Sequence, residues 1–280
     1  MTISQFQNTI LGWYKDNRRS LPWRDTRDPY KILVSEIMLQ QTQVSRVLIK
    51  YPEFIKIFST IESLAKAPQR KLLKAWSGLG YWRRAIFLKQ ACSAILKSCR
   101  GKFPQDPKIL EQLPGIGHYT ARAIACFAFD NSEAFIDTNI RKIYLHFFFK
   151  KKTRVFDREI LKIAKKAIDA FRLRPSFRRD FGETKEWHYA LFDYGALVLK
   201  DRKINRQSKH YAKQSKFKGS FRSFRTSIMR FLLEQKNQRA TTGKIQRMLK
   251  KNRSPYLAEK LLASLKKDGL VKKRGEIYSL

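Results

Sequence analysis

Apolar residues recur along most of this chain at intervals of three and four. Val/Ile/Thr alternation is rare, and glycine and proline are sparse. That pattern predicts an overwhelmingly helical protein. A first helix over Ile3–Asn17 carries Phe6, Ile10 and Trp13–Tyr14 at helical spacing. Leu21-Pro22-Trp23-Arg24 breaks it, and Asp28-Pro29-Tyr30 opens the next, predicted over 31–51. Further helices are predicted at 54–58, 61–65, 69–77, 82–99, 107–112 and 118–129. Others follow at 139–149, 158–171 and 187–197, the last with apolar Leu191, Phe192 and Leu197.

From 199 to 218 the pattern fails. Eight Lys and Arg face a single Asp, Tyr211 and Phe217 are interleaved, and aliphatic residues almost vanish. Such a run reads either as a solvated linker or as a segment tracking a DNA backbone. Helical periodicity returns at 221–235, 241–251 and 255–267. Ser254 is a suitable N-cap, Pro255 stands at the first helical position, and Leu257, Leu261, Leu262 and Leu265 form a stripe. Leu270-Val271 and Ile277-Tyr278 flank 272–276 as a hairpin, which completes a winged helix–turn–helix pattern of about 60 residues. The same pattern also serves for protein docking.

Charge sharpens the picture. The 280 residues carry 60 Lys and Arg against 23 Asp and Glu, a net charge of +37. A polyanion is the expected partner, and nucleic acid suits it best. A membrane surface would need an amphipathic anchor or lipidation signal, and no run has the length of a membrane-spanning helix. With no signal peptide recognised, the expectation is a cytoplasmic monomer, nucleoid-associated in a prokaryote. Cys92, Cys99 and Cys126 are too few and too widely spaced for a disulfide framework or a zinc site. The four histidines are scattered singly, so no metal is expected.

Against that background one stretch stands out: Leu113-Pro114-Gly115-Ile116-Gly117-His118-Tyr119-Thr120, opening an apolar helix. Two glycines one residue apart at a helix N-terminus suit a phosphate, since the amides donate together and the helix dipole favours an anion. Asp137 follows eighteen residues after Tyr119, at the predicted start of a helix, and Glu36 lies among Leu33, Val34, Ile37 and Met38. Taken singly, Asp137 reads as an N-cap and Glu36 as a surface acid. Together, on a basic chain with a phosphate-gripping turn, two carboxylates suggest cleavage of a C–N glycosidic bond. One, made less acidic by apolar neighbours, protonates the leaving base, and the other stabilises or attacks the cationic sugar.

Leu21-Pro22-Trp23-Arg24, the run Val34-Ser35-Glu36-Ile37-Met38-Leu39-Gln40-Gln41-Thr42-Gln43-Val44, Trp76-Ser77-Gly78-Leu79-Gly80-Tyr81, and the hairpin followed by Ile136-Asp137-Thr138-Asn139 resemble the adenine DNA glycosylases of the MutY type. Those enzymes belong to the helix–hairpin–helix glycosylase superfamily that includes endonuclease III. The resemblance runs in order from Trp13 to Leu199. It implies an all-α fold: two helical subdomains with a DNA cleft between them over 1–198, a basic linker at 199–220, and a winged-helix-like module at 221–280.

The resemblance gives Glu36 the role of acid at adenine N7. Asp137 stabilises the oxocarbenium ion, with Asn139 beside it. Tyr119 stands where bifunctional relatives carry a Schiff-base lysine, and a phenol offers no amine, so base excision without efficient β-lyase is expected. Trp23, Arg24, Tyr189 and Phe192 would line the pocket for the flipped base. Gln41 and Tyr81, with Thr42 and Leu79, would wedge into the duplex, and Gly115, Gly117 and His118 would grip a phosphate, with a possible monovalent cation at the turn. The partner implied is double-stranded DNA with a mispaired or oxidised base.

Three departures from the family pattern follow. The helix ending Tyr194-Gly195-Ala196-Leu197-Val198 is followed by Leu199, where relatives begin the cysteines of a [4Fe–4S] cluster, so no cluster is expected. Arg202, Lys203, Arg206 and Lys209 are expected to take over that loop's DNA contact. Tyr189 replaces the Glu or Gln usual at the adenine edge, and one hydroxyl cannot reproduce a two-point amide pattern. The module at 221–280 is shorter than the Nudix-like domain of relatives and differs in element order. The reading is therefore a monofunctional glycosylase excising adenine opposite guanine or 8-oxoguanine. A thymine or uracil mismatch glycosylase on the same scaffold, and a non-catalytic DNA-binding protein, stay open as alternatives.

Overall fold

Thr2 opens the chain's first helix with a reciprocal cap: its hydroxyl accepts from Gln5 N at 3.2 Å, and Gln5 Oε1 accepts from Thr2 N at 2.9 Å. The computed structural model describes residues 1–201, 203–213, 215–235 and 237–280. Its first six helices are α1 (Ile3–Asn17), α2 (Pro29–Leu39), α3 (Val44–Ile57), α4 (Ile61–Ala65), α5 (Gln69–Trp76) and α6 (Arg83–Ser98). Then come α7 (Pro107–Leu110), α8 (His118–Phe129), α9 (Thr138–Phe148), α10 (Asp157–Leu173), α11 (Pro175–Phe181) and α12 (Thr184–Leu197). The C-terminal part holds α13 (Phe221–Glu234), β1 (Arg239–Thr241), α14 (Thr242–Lys251), α15 (Ala258–Lys267), β2 (Lys272–Arg274) and β3 (Ile277–Ser279).

The helical class and most predicted elements stand. The single helix expected over 31–51 is corrected to two, because Gln41 turns left-handed (φ 53°) after α2 ends. The helix expected at 54–58 is instead the last turn of α3, which runs through Pro52. Residues 175–181, unassigned from the sequence, form α11.

Two units emerge, one of residues 1–36, 104–112 and 116–213, the other of 37–103, 113–115 and 214–280. In the first, Phe6 on α1 is fully buried, with ring centroids 5.1–5.6 Å from Tyr144, Phe147, Phe148 and Trp187. These aromatic edges hold α1, α9 and α12 together, and Gln7 Nε2 donates to Ala167 O of α10 at 2.8 Å. The basic segment is tied in locally: Val155 pairs with Ser208 in a parallel bridge, and Lys209 Nζ lies 4.2 Å from the Phe156 ring.

In the second unit, Phe54, Phe58 and Trp76 pack together, and Trp76 Nε1 donates to Gly80 O at 3.1 Å. The C-terminal module forms a three-stranded antiparallel sheet in the order β1-β3-β2. The expected hairpin is present at Lys272–Arg274 and Ile277–Ser279, and β1 is an unforeseen third strand. Ile228, Met229, Leu232, Ile245, Leu249, Leu261, Leu262 and Leu265 make its core.

Candidate active site

The site in the first unit is built from four helix starts and faces. Glu36 stands on α2 with only 5% of its surface exposed. Tyr119, in the first turn of α8, hydrogen-bonds the Glu36 carboxyl. Burial pushes that carboxyl up to about 8. The Tyr119 hydrogen bond acts against this, and the charge of Asp137 adds to it. At neutral pH Glu36 therefore carries a proton, which an ordinary carboxyl would have lost.

Asp137 is the N-cap of α9. Its Oδ1 accepts from Asn139 N at 2.9 Å and Ile140 N at 2.7 Å, and its Oδ2 accepts from Asn139 Nδ2 at 3.1 Å. Burial raises this carboxyl too, and the three donors and the Arg141 charge offset that rise only in part. Three N–H groups aimed at one carboxylate favour its charged form against that burial. The N-cap and catalytic readings of Asp137 are thus compatible: the cap fixes the carboxylate. Gly195 of α12 fixes the cap in turn, since a Cβ there would stand 2.8 Å from Asn139 O.

Around these two acids runs an aromatic wall. Tyr119 meets Phe135 edge-on at 5.5 Å, and Phe135 stacks on His188 at 3.9 Å. Burial pulls His188 down to about 3, so its ring is neutral. Tyr189 is buried between the Phe127 ring at 4.9 Å and the Arg24 guanidinium at 4.5 Å, and Phe192 meets Phe127 edge-on at 6.3 Å.

Arg24 reaches this wall with its polar edge already engaged. Its two terminal nitrogens donate to Asp193 at 2.8 and 2.7 Å, and Arg19 also bonds Asp193. Burial alone would raise Asp193; the two arginines outweigh it and hold the carboxyl below its usual range. The fork of Arg24 is occupied, so only its flat face is offered to Tyr189. Trp23 is buried, at 5% exposure.

In the second unit, Gln41 (φ 53°) and Tyr81 (φ 45°) both adopt left-handed backbone. One residue clamps the two turns. Arg84 donates to the carbonyls of Ile37, Met38 and Gln40 on one side, and to Leu79 O at 3.1 Å and Gly80 O at 3.2 Å on the other. Its Nη2 also reaches Thr42 Oγ1 at 2.9 Å. Leu79 itself is 3% exposed, so its carbonyl enters the clamp while its side chain is core. Sequence reading missed Arg84, Asp193 and His188; only their polar character inside apolar helical faces could have flagged them.

The hairpin glycines differ in role. Gly115 has φ 76°, and a Cβ there would fall 2.6 Å from Phe87 Cβ. Gly117 has φ −95° and open space around it, and it precedes exposed His118 at the start of α8. Lys203, Arg206 and Lys209 are exposed beside the Ile204–Gln207 turn, whereas Arg202 lies outside the described residues.

The cluster implied by the resemblance requires four thiolates. The three cysteines all precede residue 127, Cys92 and Cys126 are buried, and α12 is followed by buried Leu199 and basic residues. This donor set does not fit an iron–sulfur cluster.

Residues 34–172 match the HhH-GPD superfamily of base excision DNA repair proteins. An adenine DNA glycosylase of Buchnera aphidicola subsp. Baizongia pistaciae is 36% identical over 199 residues, 71% of this chain and 54% of that protein. The adenine DNA glycosylase of Mycolicibacterium smegmatis is 44% identical over 144 residues, 51% of this chain and 48% of that protein. The chain thus spans about half the length of these curated relatives. A thermostable thymine-DNA glycosylase structure superposes with TM-score 0.61 at 27% identity, over 72% of this chain and 89% of that one. A trapped endonuclease III–DNA intermediate gives TM-score 0.56 at 18% identity, over 72% and 90%, a likeness of fold.

Proposed function

From the membership of residues 34–172 in the HhH-GPD superfamily of base excision DNA repair proteins, we propose that this chain is a monofunctional DNA glycosylase releasing adenine from mispairs with guanine or 8-oxoguanine. The observation that carries the reading is the pair Glu36 and Asp137, buried and electrostatically coupled within one site, with three N–H donors aimed at Asp137. Neutral Glu36 gives its proton to N7 of the extruded adenine. The C1′–N9 bond then breaks and its electron pair leaves with the base. Ionised Asp137, held by Asn139 and Ile140, stabilises the oxocarbenium ion until water adds.

Tyr119 orients the acid through its hydrogen bond and has no amine for a Schiff base, which supports excision without efficient β-lyase. Buried Tyr189, backed by Phe127 and Arg24, offers the base an aromatic edge. The open amides at Gly117 and His118 suit a DNA phosphate. A panel of duplexes carrying A, T or U opposite G and 8-oxoguanine tests the reading, with released base and strand nicking scored separately. Adenine release without nicking is expected. Release of thymine or uracil alone would replace adenine as the target.

A further inference from the structure

The C-terminal module has the element order helix, strand, helix, helix, strand, wing, strand. Ala258, Leu261, Leu262 and Leu265 turn one side of α15 into the core, which leaves Glu259, Lys260, Ala263, Ser264, Lys266 and Lys267 along the other. The middle of that outer face is small-residue and its three lysines outnumber the single acid, a surface that fits a nucleic-acid groove. The angle between α14 and α15 is held by Ala258 N donating to Gln246 Oε1 at 2.7 Å. Next to α15, the strand residues Lys272, Lys273 and Arg274 are all exposed. Over 221–280, Lys and Arg outnumber Asp and Glu by 16 to 4.

The module is also anchored within its unit, not tethered loosely. Asp268, at the C-terminal end of α15, bonds Arg225 and lies 3.5 Å from Arg83. Gln69 Nε2 donates to Gly269 O at 3.0 Å, and Arg222 bonds the Tyr81 hydroxyl while its guanidinium lies 5.1 Å from that ring. Asp268 is thereby paired with two arginines, which leaves exposed Glu259 in the first turn of α15 as the acid that a polyanion would meet there.

We propose that this module is a duplex-DNA contact in its own right, with α15 and the β2–β3 wing seated on the phosphate backbone. The inference rests on the reading that the chain acts on DNA, but not on which base is removed. A duplex presents one negative charge about every 1.7 Å of axis, which matches a cationic helix and wing better than a mixed-charge protein surface does.

The test is the full chain carrying Lys260→Gln, Lys267→Gln, Lys273→Gln and Arg274→Gln, titrated with undamaged duplexes of about 12 and about 30 base pairs, roughly one and three helical turns. Each phosphate contact removed lowers the slope of log K against log salt by about 0.9, so a loss of about 2–4 in slope is expected on the longer duplex. Affinity for that duplex should fall at least tenfold, and replacing the same four positions with Lys↔Arg exchanges should retain it. Because all four side chains are exposed, their removal leaves the core intact. Unchanged slope and affinity would overturn the proposal. A fallen slope in a chain that releases no base from any mispair would keep the proposal and remove the assigned activity.

Discussion

Replacing Glu36 with Gln separates the two consequences of its burial. A carboxyl moved from 4.5 to about 8 on folding is protonated in the native chain and ionised in the unfolded chain between those pH values. Folding stability from this residue is therefore fully present below pH 4.5 and declines as pH rises towards 8. At about 1.4 kcal/mol per pH unit, the accumulated cost approaches about 5 kcal/mol above pH 8, an upper bound because water penetration and relaxation reduce it. Glu36→Gln removes the titration while keeping shape and hydrogen-bonding capacity for Tyr119. Urea unfolding of both chains from pH 4 to 9 should give a stability difference that grows in favour of the variant with rising pH and levels off near 8. Single-turnover adenine release should show the converse: wild-type rate falling through about pH 8 as the proton is lost, and the variant slower by about 10²–10⁴-fold with duplex affinity retained. A pH-independent stability difference, or an active Gln variant, would refute the assignment of Glu36 as a buried acid.

Other expectations follow from the same geometry. Arg84→Lys keeps the charge but loses the planar fork, leaving several carbonyls of the two turns unpaired at about 1–3 kcal/mol each, so thermal unfolding should occur well below the wild-type midpoint. Gly195→Ala drives a Cβ into Asn139 O and should cost about 1–3 kcal/mol while slowing base release more than it weakens duplex binding, as a comparison of single-turnover rate with Kd would reveal. Gly115→Ala meets both a left-handed backbone and Phe87 and should destabilise measurably in urea, whereas Gly117→Ala, with open space and ordinary φ, should leave stability within about 0.5 kcal/mol.

The sequence by itself determined what depends on neighbours three and four residues away. Helical periodicity placed most of the helices, and Asp137 announced itself as a cap because capping is a local hydrogen-bond pattern. The ordered motifs around Glu36, Tyr81, Tyr119 and Asp137 carried the family resemblance, and the altered residues after Leu197 signalled that cluster ligation does not fit. Only the tertiary structure decided that the segment 31–51 is two helices, since the break depends on Arg84, over forty residues along the chain. It also decided that Arg24 is spent on Asp193 and that β1 joins the wing through Ala240 and Tyr278. The proton on Glu36 belongs in the same class. Apolar neighbours on α2 hint at burial, but the desolvation that raises its proton affinity sums over everything that excludes water, whatever its distance in sequence, with Asp137 of the α9 cap adding to it and Tyr119 of α8 opposing it.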